Sequence, residues 1–213
     1  MKKYRDFLIL IILTMGTQAV IYFLIKCFIN DYNLINSIVD FPFIKQFVYF
    51  YDSWYPFIIL NAFIIFKHDS KQFNLLIATM LITALIGQIT FVVYPSMILR
   101  PSIEVKNITD WILDFTYKAD TPAINCLPSM HCVYCFITSY YIATTKNINI
   151  KNKLLIITYS LIIVLSTLFI KQHVIEDVIL ALIYTIIGIL IVYKNKNKIN
   201  NLMNKLLHKK RND

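Results

Sequence analysis

Two histidines in this chain sit beside unusual polar clusters. His131 falls in Leu127-Pro128-Ser129-Met130-His131, and His173 falls in Lys171-Gln172-His173-Val174-Ile175-Glu176-Asp177. His173 and Asp177 are four residues apart, so on a helix they share a face and come within side-chain reach. A carboxylate on one imidazole nitrogen fixes the tautomer and leaves the other nitrogen as an oriented, neutral base or nucleophile. A third cluster, Tyr94-Pro95-Ser96-Met97-Ile98-Leu99-Arg100-Pro101, carries a guanidinium whose planar fork suits an oxyanion. Taken singly, each feature has a bland explanation. Pro-Ser is a common helix start, His173 with Asp177 could be a structural hydrogen bond, and Arg100, Lys171 and Asp177 could be interfacial charges. Their shared order, spacing and sidedness set them apart.

The elements that must hold these residues are membrane helices. Of 213 residues, 58% are hydrophobic and only 15% charged, and the mean hydropathy is +0.61. A soluble domain carries about 25% charge and 45–50% apolar residues. A helical span needs about 20 mostly apolar residues, and the candidates are Phe7–Ile29, Trp54–Phe66 with a start as early as Phe43, Phe73–Tyr94, Cys132–Thr145, Leu154–Ile170 and Val178–Tyr193. The first is too long for a signal peptide and lacks a small-residue cleavage site. The expected fold is therefore all-α, a polytopic bundle of about six transmembrane helices. Fifteen of the 21 Lys and Arg residues fall in segments 1–6, 67–71, 146–153 and 194–213, which places both termini in the cytoplasm. All three polar clusters then lie at the outer face.

Other features are organisational. The loop from Ser102 to Leu127 is long enough for a helix of its own, with Ile103, Ile108, Trp111, Ile112 and Phe115 forming an apolar side. This segment is expected to lie on the outer leaflet and cap the site, with Trp111 in the headgroup layer. In the tail, Ile199, Leu202, Met203, Leu206 and Leu207 follow helical spacing, so a basic helix on the inner leaflet and a solvated tail both remain open. The net charge of +9 lies at span ends and in the tail, without the aromatic-basic groove of a nucleic-acid binder. The four cysteines, Cys27, Cys126, Cys132 and Cys135, make no disulfide framework. Cys132 and Cys135 are small packing residues on one helix face, and zinc ligation with Cys126 and His131 would need irregular spacing. No carboxylate cluster suits a metal, so no cofactor or metal is expected. Asp120 is a weak contributor to the site, and Glu104, Asp110 and Asp114 read as solvated surface.

The three clusters resemble the signature of the type-2 phosphatidic acid phosphatase superfamily of membrane lipid phosphatases and phosphotransferases. That pattern is a Lys seven residues before Arg-Pro, then Pro-Ser-x-His, then Ser-Arg-x5-His-x3-Asp. Here it is met by Arg100-Pro101, by Pro128-Ser129-Met130-His131, and by Ser166 with His173 and Asp177. Two positions depart: Val93 stands at the Lys position and Thr167 at the Arg position. Lys171, one helical turn beyond Thr167, is expected to bring its ammonium to a similar place. Ser166-Thr167 followed by Lys171-Gln172-His173 is similar to the branch containing inositol phosphorylceramide synthase-like proteins.

The resemblance implies His173 as nucleophile, Asp177 as its orienting partner and His131 as acid, then base. It implies Arg100, Ser129, Lys171 and Ser166 as ligands of the substrate phosphate. The implied organisation is two N-terminal helices in residues 1–72, a catalytic core in 73–193 with its outer loop at 95–131, and a basic tail in 194–213. The implied activity is removal of phosphate from a lipid monophosphate or diphosphate, on the outer side of a multi-pass protein of the cell membrane. The implied partners are that lipid phosphate and the surrounding membrane lipids, with no nucleic acid. The alternatives are a lipid headgroup phosphotransferase and a non-enzymatic transporter.

Overall fold

A computed structural model describes residues 2–209. The side chains of Lys2, Lys3, Leu206 and Leu207, and Lys210 and Arg211 altogether, lie outside the described residues. The helices are α1 (Lys2–Phe28), α2 (Val48–Asp52), α3 (Trp54–His68), α4 (Ser70–Val93), α5 (Ile108–Ala119), α6 (Met130–Thr144), α7 (Ile150–Phe169), α8 (Ile175–Lys194) and α9 (Lys196–Lys209). A 3-10 turn, Lys45–Phe47, leads into α2. Two short strands, β1 (Asn33–Leu34) and β2 (Ser96–Met97), pair in parallel. The protein is an all-α membrane fold.

Local chemistry sets the helix starts. Asp69 accepts the N–H groups of Lys71 and Gln72 at the start of α4. Asn107, Ser129 and Asn149 cap α5, α6 and α7 in the same way. Each cap satisfies donors that would otherwise be orphaned, which matters most where no water competes.

Among the described residues, five helical stretches are long and apolar enough to cross a membrane: Tyr4–Phe28, Lys45–His68, Ser70–Val93, Ile150–Phe169 and Ile175–Lys194. The second stretch is the Trp54 span extended at its start through α2 and the 3-10 turn. The fourth expected span corresponds to α6, which has only 15 residues and is enclosed by its neighbours. Cys132, Val133, Tyr134, Cys135 and Ile137 on α6 are all fully buried. By contrast α1 and α8 expose Leu8, Ile12, Leu13, Leu182, Ile186 and Leu190, the outward apolar surface a bilayer accepts.

The main core runs from Phe7 and Ile11 on α1 through Ile58, Met80 and Ile137 to Met203 on α9, and a smaller one joins Val48, Leu113 and Ile170. Helix α8 packs tightly on α4 at Gly188, where an added Cβ would overlap the Thr83 methyl. Helix α9 folds back on α4, with buried Met203 and an Asn74 Nδ2 to Asn200 Oδ1 hydrogen bond of 3.1 Å. The tail is thus helical and docked at this point.

The architecture gathers one set of helix ends. The end of α4, the starts of α6 and α8, and the end of α7 lie at one end of the bundle, where α5 packs on α2 and the 3-10 turn. Ser129 N–H donates to the Asp177 carbonyl at 3.3 Å, tying the starts of α6 and α8 together.

Candidate active site

His173 follows the end of α7. The backbone N–H groups of both Gln172 and His173 reach the Thr167 carbonyl, at 2.9 and 3.0 Å. Such a tight reversal demands a left-handed residue, and Lys171 adopts φ 54°, a conformation that costs a non-glycine residue about 1–2 kcal/mol. The turn delivers His173 to the position just before Val174, the N-cap of α8. There its Nδ1 lies 2.9 Å from Asp177 Oδ2, and the same oxygen accepts the Val174 N–H at 3.1 Å. With Nδ1 engaged by a carboxylate, Nε2 is the nitrogen left for chemistry.

His131 belongs to the first turn of α6, capped by Ser129. Its ring is held in an aromatic slot, 4.5 Å from the Tyr51 ring centroid and 4.4 Å from that of Trp54. The Trp54 indole N–H donates to the His131 carbonyl at 3.1 Å. The His131 and His173 ring centroids are 6.2 Å apart.

Both histidines line one cavity of about 410 Å³. Its far walls are largely apolar and aromatic, formed by Met15, Ala19 and Phe23 of α1, Tyr55 of α3 and Phe115 of α5. Asp120, Asn125 and Gln172 add polar atoms. Near this wall, burial pushes the Cys126 thiol pKa well up, so Cys126 stays a neutral packing group. Among the described residues, no group of three or more His, Cys, Asp or Glu is arranged to hold a metal ion.

The remaining expected ligands are placed differently from one another. Arg100 Nη2 donates to Asp120 Oδ2 at 2.5 Å and Nη1 to the Asp120 carbonyl at 3.1 Å. Its guanidinium lies 5.1 Å from the Tyr117 ring centroid. It therefore stands beside the cavity wall, with Asp120 between. Ser129 Oγ accepts the Cys132 N–H as a helix cap. Ser166 is fully buried and donates to the Ile163 carbonyl at 2.6 Å. Lys171 turns away from the large cavity. Its ammonium pairs with Asp40 and the Phe41 carbonyl, on a second, smaller cavity that also touches His173. The left-handed backbone at Lys171 is the reason: a helical continuation from Thr167 would have aimed the side chain elsewhere.

The family model of the PAP2 superfamily matches residues 71–201. The chain belongs to the PAP2 superfamily. No curated protein and no solved structure matches it. Members of this superfamily are phosphatases and phosphotransferases, and a membrane-embedded PAP2 protein accords with the apolar helices described above. The match starts at α4, so α1 to α3 lie outside it. Yet in this PAP2 protein α1 and α3 build much of the cavity wall.

Sequence reasoning passes over four polar residues of this region: Tyr22, Asn125 and Gln172, which line the cavity, and Lys26, which faces Asp120. Asn125 and Gln172 are buried, and both amide atoms of Asn125 and the Nε2 of Gln172 lack a hydrogen-bond partner among the described residues. Their placement at a cavity is invisible in composition. Only the position of Gln172, next to His173, offered a signal.

Proposed function

We propose that this PAP2 protein hydrolyses a phosphomonoester or diphosphate of a membrane lipid through a phosphohistidine intermediate, at the outer face of a cell membrane. The observation that supports this reading above others is the joint placement of His131 and His173 on one apolar-walled cavity, with Asp177 on the far nitrogen of His173. His173 Nε2 attacks phosphorus, the new N–P bond forms, and the P–O bond to the lipid breaks. His131 delivers a proton to the departing oxygen. Water then attacks the phosphohistidine while His131 takes its proton, releasing inorganic phosphate and restoring both imidazoles. Phosphoryl transfer depends mainly on positioning and electrostatic stabilisation. Arg100 supplies the charge here, and the Gln172 amide and the first N–H groups after Ser129 supply neutral donors. Lys171 acts from the other side of His173 as a point charge. Ser166 contributes by packing the α7 end.

The concentration of basic residues at the opposite helix ends supports the outer placement of the site. Transport is disfavoured, because the ionisable residues collect at one end of the bundle and transporter sites lie near the bilayer centre. The substrate candidates are phosphatidic acid, phosphatidylglycerol phosphate and a polyprenyl diphosphate.

The test is phosphate release by the detergent-purified protein from these lipids in excess chelator, beside His173→Ala. Release by the unaltered protein and not by the variant is expected. Activity lost on chelation and restored by added metal would overturn the metal-independent step. Release of nothing from any lipid, with a new phospholipid made only when an alcohol is added, would replace hydrolysis by headgroup transfer.

A further inference from the structure

Three donors converge on a single carboxylate at the wall of the large cavity. Asp120 Oδ1 accepts the Tyr22 hydroxyl at 2.6 Å and lies 3.8 Å from the Lys26 ammonium. Asp120 Oδ2 accepts from Arg100 at 2.5 Å. Tyr22 and Lys26 are four residues apart on α1, so one helix face presents both. The Lys26 and Arg100 side chains are only 13% and 8% exposed. Two enclosed cations thus share one negative charge, which leaves the set net positive where charge is costly to bury. An occupant more negative than a carboxylate would balance it better.

A second observation points the same way. Asn125, only 4% exposed, lines the cavity with neither amide atom partnered among the described residues, and Gln172 at 1% lines it with its Nε2 unpartnered. Buried polar groups are rarely left so without a ligand or water to satisfy them. A phosphate group offers acceptor oxygens in several directions and suits the two donors among these atoms, Asn125 Nδ2 and Gln172 Nε2.

We propose that Lys26 and Tyr22 of α1, together with Arg100, form a binding site for a substrate phosphate, which Asp120 occupies by its own carboxylate until phosphate displaces it. The inference rests on the phosphatase reading above. It gives α1, outside the matched residues, a specific part in recognition. The exposed side chain of Val93, where the superfamily pattern carries Lys, leaves that position without a cation, and Lys26 brings one from another helix. The exchange is mechanically simple, because Arg100 has a second anchor. Its Nη1 is also held by the Asp120 and Tyr117 carbonyls, at 3.1 and 3.5 Å, so the guanidinium stays in place when the carboxylate swings out.

The experiment titrates inorganic phosphate into the full chain in detergent and follows the fluorescence of Trp54, which lines the cavity. Trp111→Phe serves as background, since the chain has two tryptophans. Asp120→Asn is expected to bind phosphate about tenfold more tightly, because the charged competitor is gone. Lys26→Met is expected to bind about tenfold more weakly, with Lys26→Arg recovering most of the loss. Tyr22→Phe, which preserves packing, should weaken binding about threefold. Unchanged or weaker binding by Asp120→Asn, or unchanged binding by both Lys26→Met and Tyr22→Phe, would overturn the proposal. Binding is read without turnover, so the two readings fail separately. Phosphate binding that responds to these variants in a protein that hydrolyses no lipid phosphate would sink the phosphatase reading alone. Hydrolysis through His173 with phosphate binding indifferent to α1 would sink only this one.

Discussion

Asp177 Oδ2 stands 2.9 Å from His173 Nδ1 and 3.1 Å from the Val174 nitrogen, so one oxygen both caps α8 and holds the imidazole. Helix formation and ring orientation are therefore the same event at this position. The residue that caps the helix is the one that presents its carboxylate to His173, and the ring cannot rotate without leaving that partner.

Asp177→Asn separates these two duties. The amide oxygen can still accept the Val174 N–H, but it no longer enforces one tautomer of His173. The expected result is a kcat lower by roughly 10²- to 10⁴-fold with a nearly unchanged melting midpoint. A kcat within threefold of the unaltered protein would remove Asp177 from the proposed mechanism.

His131→Ala should act differently on the two half-reactions. With an activated aryl phosphate the departing oxygen needs no proton, so phosphorylation of His173 proceeds while hydrolysis slows. Radiolabelled phosphate is expected to accumulate on the protein in an acid-labile, alkali-stable form. If the unaltered protein and His131→Ala both remain unlabelled under rapid quench, the covalent intermediate is wrong.

The attachment of α5 should depend on acid. Buried Asp110 accepts from the Lys45 ammonium at 2.7 Å, which holds its carboxyl below the usual carboxylate range, helped by the Lys106 N–H. A depressed folded pKa means that the stabilisation is present above the unfolded value of about 3.9 and is lost as pH falls through the folded one. Protease sensitivity of the 102–127 loop should therefore be constant down to about pH 4 and rise below it. Lys45→Met should be sensitive throughout; equal protection in that variant at neutral pH would show that the pair does not fasten α5.

Ile108, Trp111 and Phe115 form an exposed apolar face on α5, with Trp111 56% and Phe115 63% accessible and their rings stacked. Opposite them, Leu113 and Tyr117 pack under the helix and Tyr117 donates to the Ile170 carbonyl. Helix α5 is expected to rest on the outer leaflet over the cavity, with lipid entering sideways. Nitroxides at positions 111 and 115, in bilayers, should be reached by dissolved oxygen and shielded from a water-soluble relaxing agent. Free access of the aqueous agent would end this reading.

Much of this was legible because periodicity carries it. Apolar runs of span length exposed α1, α4, α7 and α8. Four-residue spacing announced the contact of His173 with Asp177, although His173 stands before the α8 N-cap and meets Asp177 through the cap rather than along a helix face. The loop helix α5 was legible from its one-sided apolar pattern. The boundaries reach further into polar residues than hydropathy alone suggests, since the caps at Asp69 and Asn149 are themselves polar. One-turn spacing from Thr167 assumes that α7 runs on through Lys171, whereas α7 ends at Phe169 and the left-handed residue reverses the chain there. Tyr22 and Lys26 could not be read at all as neighbours of Arg100, because their proximity is set by how α1 leans on α4. Asp110, read as solvated, is buried under Lys45, since a helix end docked on the 3-10 turn leaves no mark in composition.

The short α6 fixes a depth. Fifteen residues rise about 22 Å, against a hydrocarbon layer of about 30 Å. On the outer placement proposed above, a Thr144 end level with the inner boundary leaves the His131 end several ångströms beneath the outer one. A phosphorylated lipid would then sink its headgroup to meet the imidazoles rather than be lifted out of its leaflet, and its chains would never need to leave oil.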